Sequence, residues 1–163
     1  DPEGWFGAGM IYHRLGNQRE AITYILKAIE FDNKNLDYWI NLGYANEDAG
    51  LTDEAIKCYG YVCRSDAKDL DGWYALTGLL MKEGQYEIAL GFLREAFIHH
   101  AGDPGIKIKM AVCHLKEDEK DLSIKFLEEA LKANADLESE FSYFFPAGKR
   151  EADIERIIQQ YKK

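Results

Sequence analysis

One interval, 34 residues, recurs along this chain and constrains its fold more than any other feature. Three kinds of residue return with this spacing: Trp5, Trp39 and Trp73, then Gly16, Gly50 and Gly84, then Ala21, Ala55 and Ala89. Because three independent series share one interval, accident is a poor explanation and the sequence predicts a repeat protein. We expect four repeats, at 2–35, 36–69, 70–103 and 104–137, which together form a domain over 1–137, followed by a segment at 138–163.

Within a repeat the apolar spacing is helical. In repeat two, the first half carries Trp39, Leu42, Gly43 and Asn46 at i, i+3, i+4 and i+7, and the second half has the same pattern at Ala55, Ile56, Tyr59 and Val62. Gly50 lies between the halves, where a left-handed residue ends one helix before the next begins. Each repeat is therefore predicted to be a hairpin of two helices.

Helix ends and close contacts are also predicted. Asp1 and Asp103 each precede a proline, a pattern typical of a carboxylate cap before the first helical turn. Asn17, with Glu20 three residues later, is typical of a capping box. Gly9 and Gly43 would let two helix backbones approach closely. A single hairpin cannot bury its apolar surface alone, whereas stacked hairpins can, so the repeats are expected to form a solenoid.

These positions resemble the signature of the tetratricopeptide repeat family. The resemblance is carried by Trp5, Ala8, Gly9, Tyr12, Ala21, Ile25 and Ala28, by Trp39, Leu42, Gly43, Ala55 and Tyr59, and by Trp73, Leu76, Ala89, Leu93 and Ala96. Repeat four departs from it, with Lys107 in the tryptophan place and Ser123 in the alanine place. The resemblance implies an all-α fold, a right-handed solenoid of about four helical hairpins plus a C-terminal capping helix.

The segment at 138–163 is predicted to be a degenerate fifth unit and capping helix. Phe141 begins an apolar face, Pro146 interrupts it, and Ile154, Ile157 and Ile158 mark a final amphipathic helix. The chain does not begin with methionine, and repeat one is in phase from Pro2. We therefore expect a C-terminal piece of a longer protein with further repeats upstream.

Charge and cysteine content exclude several function classes. Twenty Lys and Arg against 29 Asp and Glu leave a net charge of -9, which argues against a nucleic-acid partner. No apolar run is long enough to insert into a membrane. Three cysteines without metal-type spacing favour a reducing compartment, so we expect a cytoplasmic protein without a metal site or cofactor. His114 takes a packing place in the repeat, and no nucleophile–base pair is evident, so no catalytic residue is predicted.

A second apolar stripe runs along the first helix of each repeat. Nine of its twelve places are apolar or aromatic, and the resemblance implies that these places line a concave groove. The predicted peptide-binding residues are Phe6, Met10, Ile40, Tyr44, Tyr74, Met81, Ile108 and Val112. Two interpretations remain open: a groove that binds a partner, or an interior filled by the protein's own side chains.

The sequence also predicts the character of a ligand. Five carboxylates would lie at the edge of the groove and favour a basic flank on the partner, namely Glu3, Asp37, Glu47, Asp48 and Asp71. Chaperone-cofactor tetratricopeptide domains clamp a terminal carboxylate with Lys, Asn and Arg at these first-helix places. Here those places include Phe6, Ile40 and Tyr74, so a carboxylate ligand is not expected.

We expect a non-catalytic protein–protein interaction scaffold that binds an apolar or amphipathic peptide segment. Two alternatives belong to other classes. In the first alternative, the array would be a targeting or regulatory module of a larger enzyme. In the second, it would be a structural array that self-associates as a homo-oligomer.

Overall fold

The computed structural model describes residues 1–162, so the last residue of the predicted capping segment lies outside the described residues. Within this range the chain forms α-helices and one short 3₁₀ turn, without a β-strand. The helices are α1 (Pro2–Arg14), α2 (Gln18–Phe31), α3 (Leu36–Asp48), α4 (Thr52–Ser65), α5 (Leu70–Lys82), α6 (Tyr86–His99), α7 (Pro104–Lys116), α8 (Lys120–Ala133), α9 (Glu138–Phe144) and α10 (Ala152–Tyr161), with the 3₁₀ turn at Ala135–Leu137. The predicted all-α fold is confirmed.

The chain divides into two compact units, Asp1–Leu79 and the part from Leu80 onward. In the first unit α1 pairs with α2, α3 pairs with α4, and α2 packs on α3. In the second unit α7 pairs with α8, α6 and α9 pack on α7, and α10 packs on α8. The helical hairpin is therefore the building block of both units.

The turns between paired helices have a left-handed residue at one fixed place. Gly16, Gly50 and Gly84 have φ of 79°, 75° and 73°. Asp118 occupies the corresponding place in the fourth hairpin, with φ of 60°. L side chains adopt this conformation at a cost that glycine avoids, which explains the recurrence of glycine at three of the four turns.

The predicted carboxylate caps are present, and the predicted capping box is not. Oδ2 of Asp1 accepts a hydrogen bond from the backbone N–H of Gly4 (3.2 Å), and Oδ1 of Asp103 accepts one from Ile106 (2.8 Å). Asn17 precedes α2, but its side chain makes no capping hydrogen bond. Its backbone has φ of -87° and ψ of 72°, outside the β-region that N-cap residues ordinarily adopt, so the capping-box prediction was wrong.

Close helix contacts explain the glycines inside first helices. A Cβ atom on Gly43 would lie 2.3 Å from Cε1 of Tyr59, and one on Gly9 would lie 2.7 Å from Cγ1 of Ile25. Both distances are shorter than any carbon–carbon contact, so only glycine allows α3 to lie against α4, and α1 against α2, at this separation. Ile25 and Tyr59 are fully buried in these contacts.

The recurring tryptophans connect successive hairpins. Nε1 of Trp39 donates a hydrogen bond to the carbonyl of Asn33, and Nε1 of Trp73 donates one to the carbonyl of Ala67, both at 2.9 Å. Each acceptor lies six residues earlier, where the preceding hairpin has ended. The indole thus satisfies a carbonyl that no helix bonds, which fixes where the next first helix begins.

The segment after α8 belongs to the interior of the second unit. Phe141, Ile154 and Ile158 are at most 1% exposed. The Arg150 side chain is 1% exposed, its Nε donates to the carbonyl of Phe145 (2.5 Å), and its Nη1 lies 3.1 Å from Oε2 of Glu155. A buried guanidinium is tolerated here because carbonyl and carboxylate oxygens accept hydrogen bonds from its N–H groups.

Candidate functional site

α1 and α3 lie side by side and are joined near both ends. The Tyr38 hydroxyl donates a hydrogen bond to Oε1 of Glu3 (2.6 Å), and Nε2 of His13 lies 2.7 Å from Oδ2 of Asp48. Both pairs connect residues 35 positions apart, so the two helices run in the same direction with matching residues opposite each other. The predicted residues of α1 and α3 therefore share one face.

The five predicted residues of the first unit differ in exposure. Phe6 is half-buried, and its ring lies 4.7 Å from that of Tyr38. Met10 and Tyr74 are half-buried as well, and Ile40 is 9% exposed. Tyr44 is 39% exposed and meets the ring of Tyr59 edge-on at 5.5 Å. The face is thus apolar and partly open to solvent, with Tyr44 as its most exposed predicted member.

Carboxylates surround the Tyr44 hydroxyl. Partial burial raises the pKa of Tyr44, and the negative charges of Asp71, Glu47 and Asp69 raise it further. Burial also raises the pKa of Tyr59, whose hydroxyl donates to Oε2 of Glu47 (3.1 Å). Both hydroxyls therefore stay protonated near neutral pH, and that of Tyr59 donates its hydrogen bond to a carboxylate.

Three of the five carboxylates predicted at the edge of the groove contact other side chains of the protein itself. Glu3 accepts from Tyr38, Glu47 accepts from Tyr59, and Asp48 lies against His13. Asp37 and Asp71, the other two members, are exposed. A cationic partner group would therefore meet its most accessible carboxylates at Asp37 and Asp71.

In the second unit the predicted residues lie in the interior. Met81 is 1% exposed, and Ile108 and Val112 have no exposed surface. α9 packs on α7, and Nζ of Lys109 forms an ion pair with Oε1 of Glu140 (2.6 Å) that joins the two helices. The expectation that these three residues line an open groove was therefore wrong, because this stretch of the stripe is covered. Here the alternative of a self-filled interior describes the structure.

Two tyrosines beside the stripe were missed by sequence reasoning. Tyr38 is 1% exposed, and its hydrogen bond to Glu3 raises its pKa to about 12. Tyr59 supports the ring of Tyr44. The available signal was the spacing of Glu3 and Tyr38, which differs from the repeat interval by one residue and so places them opposite each other on parallel first helices.

Two thiols and one histidine that could act as nucleophile or base are buried in the helices. Burial raises the pKa of the Cys58 thiol to about 11 and that of the Cys113 thiol to about 12, which disfavours the nucleophilic thiolate. His114 is 2% exposed, its Nδ1 lies 2.5 Å from Oε2 of Glu119, and its ring stacks on Phe126. Residues 1–162 contain no cluster of three or more His, Cys, Asp or Glu suited to a metal ion. None of the helices within that range has the length and apolarity to span a membrane. What this arrangement offers chemically is an apolar surface edged by charge.

The paired helices, the glycine turns and the indole contacts agree with comparisons against family models. A tetratricopeptide repeat model matches residues 2–35 and 36–69, and a second tetratricopeptide repeat model matches residues 80–143. The chain belongs to the tetratricopeptide repeat family. Repeats of this family form scaffolds for protein–protein interaction, and the predicted family and fold class are both confirmed.

Solved structures of other proteins share the fold of this tetratricopeptide protein. A crystal structure of MamA superposes with a TM-score of 0.72 at 16% identity, over 94% of this chain and 91% of that one. MamA (41-end) from Desulfovibrio magneticus RS-1 gives 0.74 at 13% identity, over 98% and 88%. TTC0263, a thermophilic TPR protein in Thermus thermophilus, gives 0.67 at 16% identity, over 99% and 88%. At such identities the likeness concerns the fold alone. No curated protein matches the sequence significantly.

Proposed function

We propose that this chain is a non-catalytic scaffold whose first unit binds an apolar or amphipathic polypeptide segment on the face shared by α1, α3 and the start of α5. The observation that carries the proposal is the Tyr44 ring, 39% exposed between half-buried apolar neighbours. A partly exposed aromatic that rests on a second ring is a rigid anchor, since it has little side-chain freedom left to lose on binding.

Charge narrows the class of ligand. Asp71, Asp69 and Glu47 lie close enough to raise the pKa of Tyr44, and Asp37 is exposed on α3. A segment with Lys or Arg beside its apolar side chains would bring opposite charge to this face, while an acidic segment would be repelled. The expected ligand is therefore apolar at its centre and basic at its flank.

Truncation of Tyr44, which is exposed, together with Tyr74, which is half-buried, tests this site. A peptide-display library screened against the intact chain supplies a ligand, whose dissociation constant is then measured by fluorescence anisotropy. The double variant Tyr44→Ala with Tyr74→Ala should lose about 2–4 kcal/mol of binding free energy, because aromatic anchors account for much of such interfaces. Circular dichroism and the urea midpoint should show that the fold is retained.

The control is another exposed tyrosine. Tyr143 is 76% exposed and is not one of the residues of the proposed site, so Tyr143→Ala removes a similar ring without changing that site. This variant should bind as the original chain does. Equal affinity of the double variant and the original chain, or selection only of acidic peptides, would contradict the proposed site.

The location of the protein, its other partners and its oligomeric state are further proposals. We propose a cytoplasmic location, supported by three free and buried thiols, Cys58, Cys63 and Cys113. We also propose that nucleic acid is not a partner, because of the charge of -9. Light scattering over a concentration range distinguishes a monomeric binding module from a self-associating array, and the full-length sequence decides whether a catalytic domain is attached.

A further inference from the structure

A separate apolar cleft lies between the second helices of the first unit. α2 packs on α1 and α3, and α4 packs on α3, but α2 and α4 are not closely packed on each other. A cleft of about 510 Å³ remains between them, with residues of α3 at its base. None of its lining residues belongs to the predicted first-helix stripe, so it is distinct from the proposed site around Tyr44.

The walls of this cleft are apolar and partly exposed. Leu26 on α2 is 42% exposed, and Leu51 before α4 is 47% exposed. Between them stands the half-buried indole of Trp39, whose ring lies 4.4 Å from that of Tyr61 and whose Nε1 is bonded to the carbonyl of Asn33. Because the indole is fixed on two sides, the cleft is preformed and need not be ordered by a ligand.

A polar group at the base suits a polypeptide ligand. Asn46 is 5% exposed and lines the cleft. Its Nδ2 donates to Sγ of Cys58 over 3.8 Å, and sulfur is a weak acceptor. The amide therefore has hydrogen-bonding capacity left for a backbone N–H or carbonyl, which a purely apolar ligand would leave unsatisfied.

The charges around the cleft favour an anion. Its lining contains Glu54, Lys57 and Arg64, and Nζ of Lys57 is paired with Oε1 of Glu54 at 2.7 Å. Arg64 is exposed and has no ion pair among residues 1–162. One unmatched guanidinium beside an apolar cleft, on a chain of net charge -9, is a local exception that attracts a carboxylate.

We propose that this cleft binds a second class of polypeptide segment, one that presents a bulky apolar side chain next to Asp or Glu. The apolar side chain lies between Leu26, Leu51 and Trp39, and the carboxylate pairs with Arg64. The flank is opposite in charge to the one expected beside Tyr44. The scaffold thereby has two surfaces with different partners rather than one.

Two matched dipeptides test the cleft. N-acetylated, C-amidated Phe-Glu and Phe-Gln differ only in charge, and each is titrated into the intact chain at low salt while backbone amide NMR signals are followed. We expect both to shift the signals of Leu26, Leu51 and Arg64, with Phe-Glu binding about threefold more tightly because an exposed ion pair adds only a small contribution to affinity. In the Arg64→Gln variant the two dipeptides should bind equally.

Exposed leucine and isoleucine positions provide the controls. Leu26→Ser removes an apolar wall and should abolish the shifts, whereas Ile11→Ser, at a 61% exposed position of α1 outside the cleft, should leave them unchanged. Both variants should retain the circular dichroism spectrum of the original chain.

Three results would overturn the proposal: no shift at the cleft up to the solubility limit of the dipeptides, shifts centred on Tyr44 and Phe6, or an unchanged preference for Phe-Glu after Arg64→Gln. Broadening of the cleft signals with protein concentration, before any dipeptide is added, would assign the cleft to a second copy of the chain instead. The double tyrosine variant leaves the cleft intact, so failure here is separable from failure of the site at Tyr44.

Discussion

Repeats two and four are both hairpins of two helices, but different residues form the contact between the paired helices. At the closest contact between their helices, repeat two has Gly43 against Tyr59, and repeat four has Ala111 at the same place with Leu127 in the tyrosine place. A large ring requires a glycine opposite it, and a smaller side chain allows a methyl group. In repeats two and four the two residues of the pair differ, but their combined volume is similar.

The polar substitutions in repeat four are compensated in the same local way. Ser123 replaces the buried alanine, and its hydroxyl donates to the carbonyl of Ala111 (2.8 Å). Lys107 replaces the tryptophan that bonds the preceding carbonyl, and its Nζ pairs with Oε2 of Glu129 (2.8 Å). A polar residue can therefore replace an apolar one in the repeat pattern without loss of the hairpin, provided that the new polar group finds a hydrogen-bond or ion-pair partner.

The largest difference concerns the outer stripe, which is partly open at Tyr44 and closed at Val112. Cysteine labelling should measure it directly. A Tyr44→Cys variant should react with a maleimide about 100-fold or more faster than a Val112→Cys variant, because labelling of the latter requires local opening of the structure. The native cysteines Cys58, Cys63 and Cys113 are at most 5% exposed and provide a low background. Similar rates for the two variants would mean that the stripe is equally covered in both repeats.

The glycine contact in repeat two should have the next largest effect. Gly43→Ala places a methyl group 2.3 Å from the Tyr59 ring and should lower the free energy of unfolding by about 2–3 kcal/mol in urea titrations. Adding Tyr59→Leu recreates the pair found in repeat four and should recover part of this loss. Gly78→Ala is the matched control, since nothing lies within 4 Å of its Cβ position, and helix propensity should make it neutral or stabilising. A double variant less stable than Gly43→Ala would refute the volume argument.

Repeat two should contribute to a pH dependence of stability in alkaline solution that repeat four does not share, because Tyr38 can ionise and Ile106, at the corresponding place in repeat four, cannot. The hydrogen bond to Glu3 raises the Tyr38 pKa from 10.0 to about 12. A raised folded-state pKa stabilises the protonated form, so this contribution is complete below pH 10 and is lost as the pH rises through about 12. Tyr38→Phe should therefore show a shallower decline of stability between pH 10 and 12, measured by urea denaturation. An Ile106→Val variant provides the control with an unchanged slope.

The smallest effect is expected at the turns. Asp118→Gly should raise the free energy of unfolding by about 0.5–1 kcal/mol, because glycine adopts φ of 60° without the steric cost of a side chain. Gly50→Ala should have the opposite sign, with a loss of about 1 kcal/mol. Thermal unfolding of the two variants and the original chain measures both changes in the free energy of unfolding. A destabilising Asp118→Gly would show that the aspartate side chain contributes more to this turn than its backbone strain costs.

Much of the fold was predictable because its causes are local and recur. The spacing of Trp39 and Gly50 is sufficient to predict a helical hairpin, and Asp103 before a proline is sufficient to predict a cap. The site was predictable only in the first unit. Met81, Ile108 and Val112 carry the same apolar signal as Phe6 and Ile40, and no local pattern distinguishes a covered apolar residue from an open one.

The repeat length, the pairing of helices and the contacts within each hairpin could be read from the amino-acid pattern, since they depend on neighbours along one helix or across one short turn. Tertiary structure decided which apolar surfaces remain available. α9 covers α7, although Glu140 lies 31 residues from its partner Lys109, and the cleft at Leu26 exists because α2 and α4 each pack on α3 instead of on each other. Periodicity records which side of a helix is apolar, whereas exposure depends on which distant helix is placed against that side.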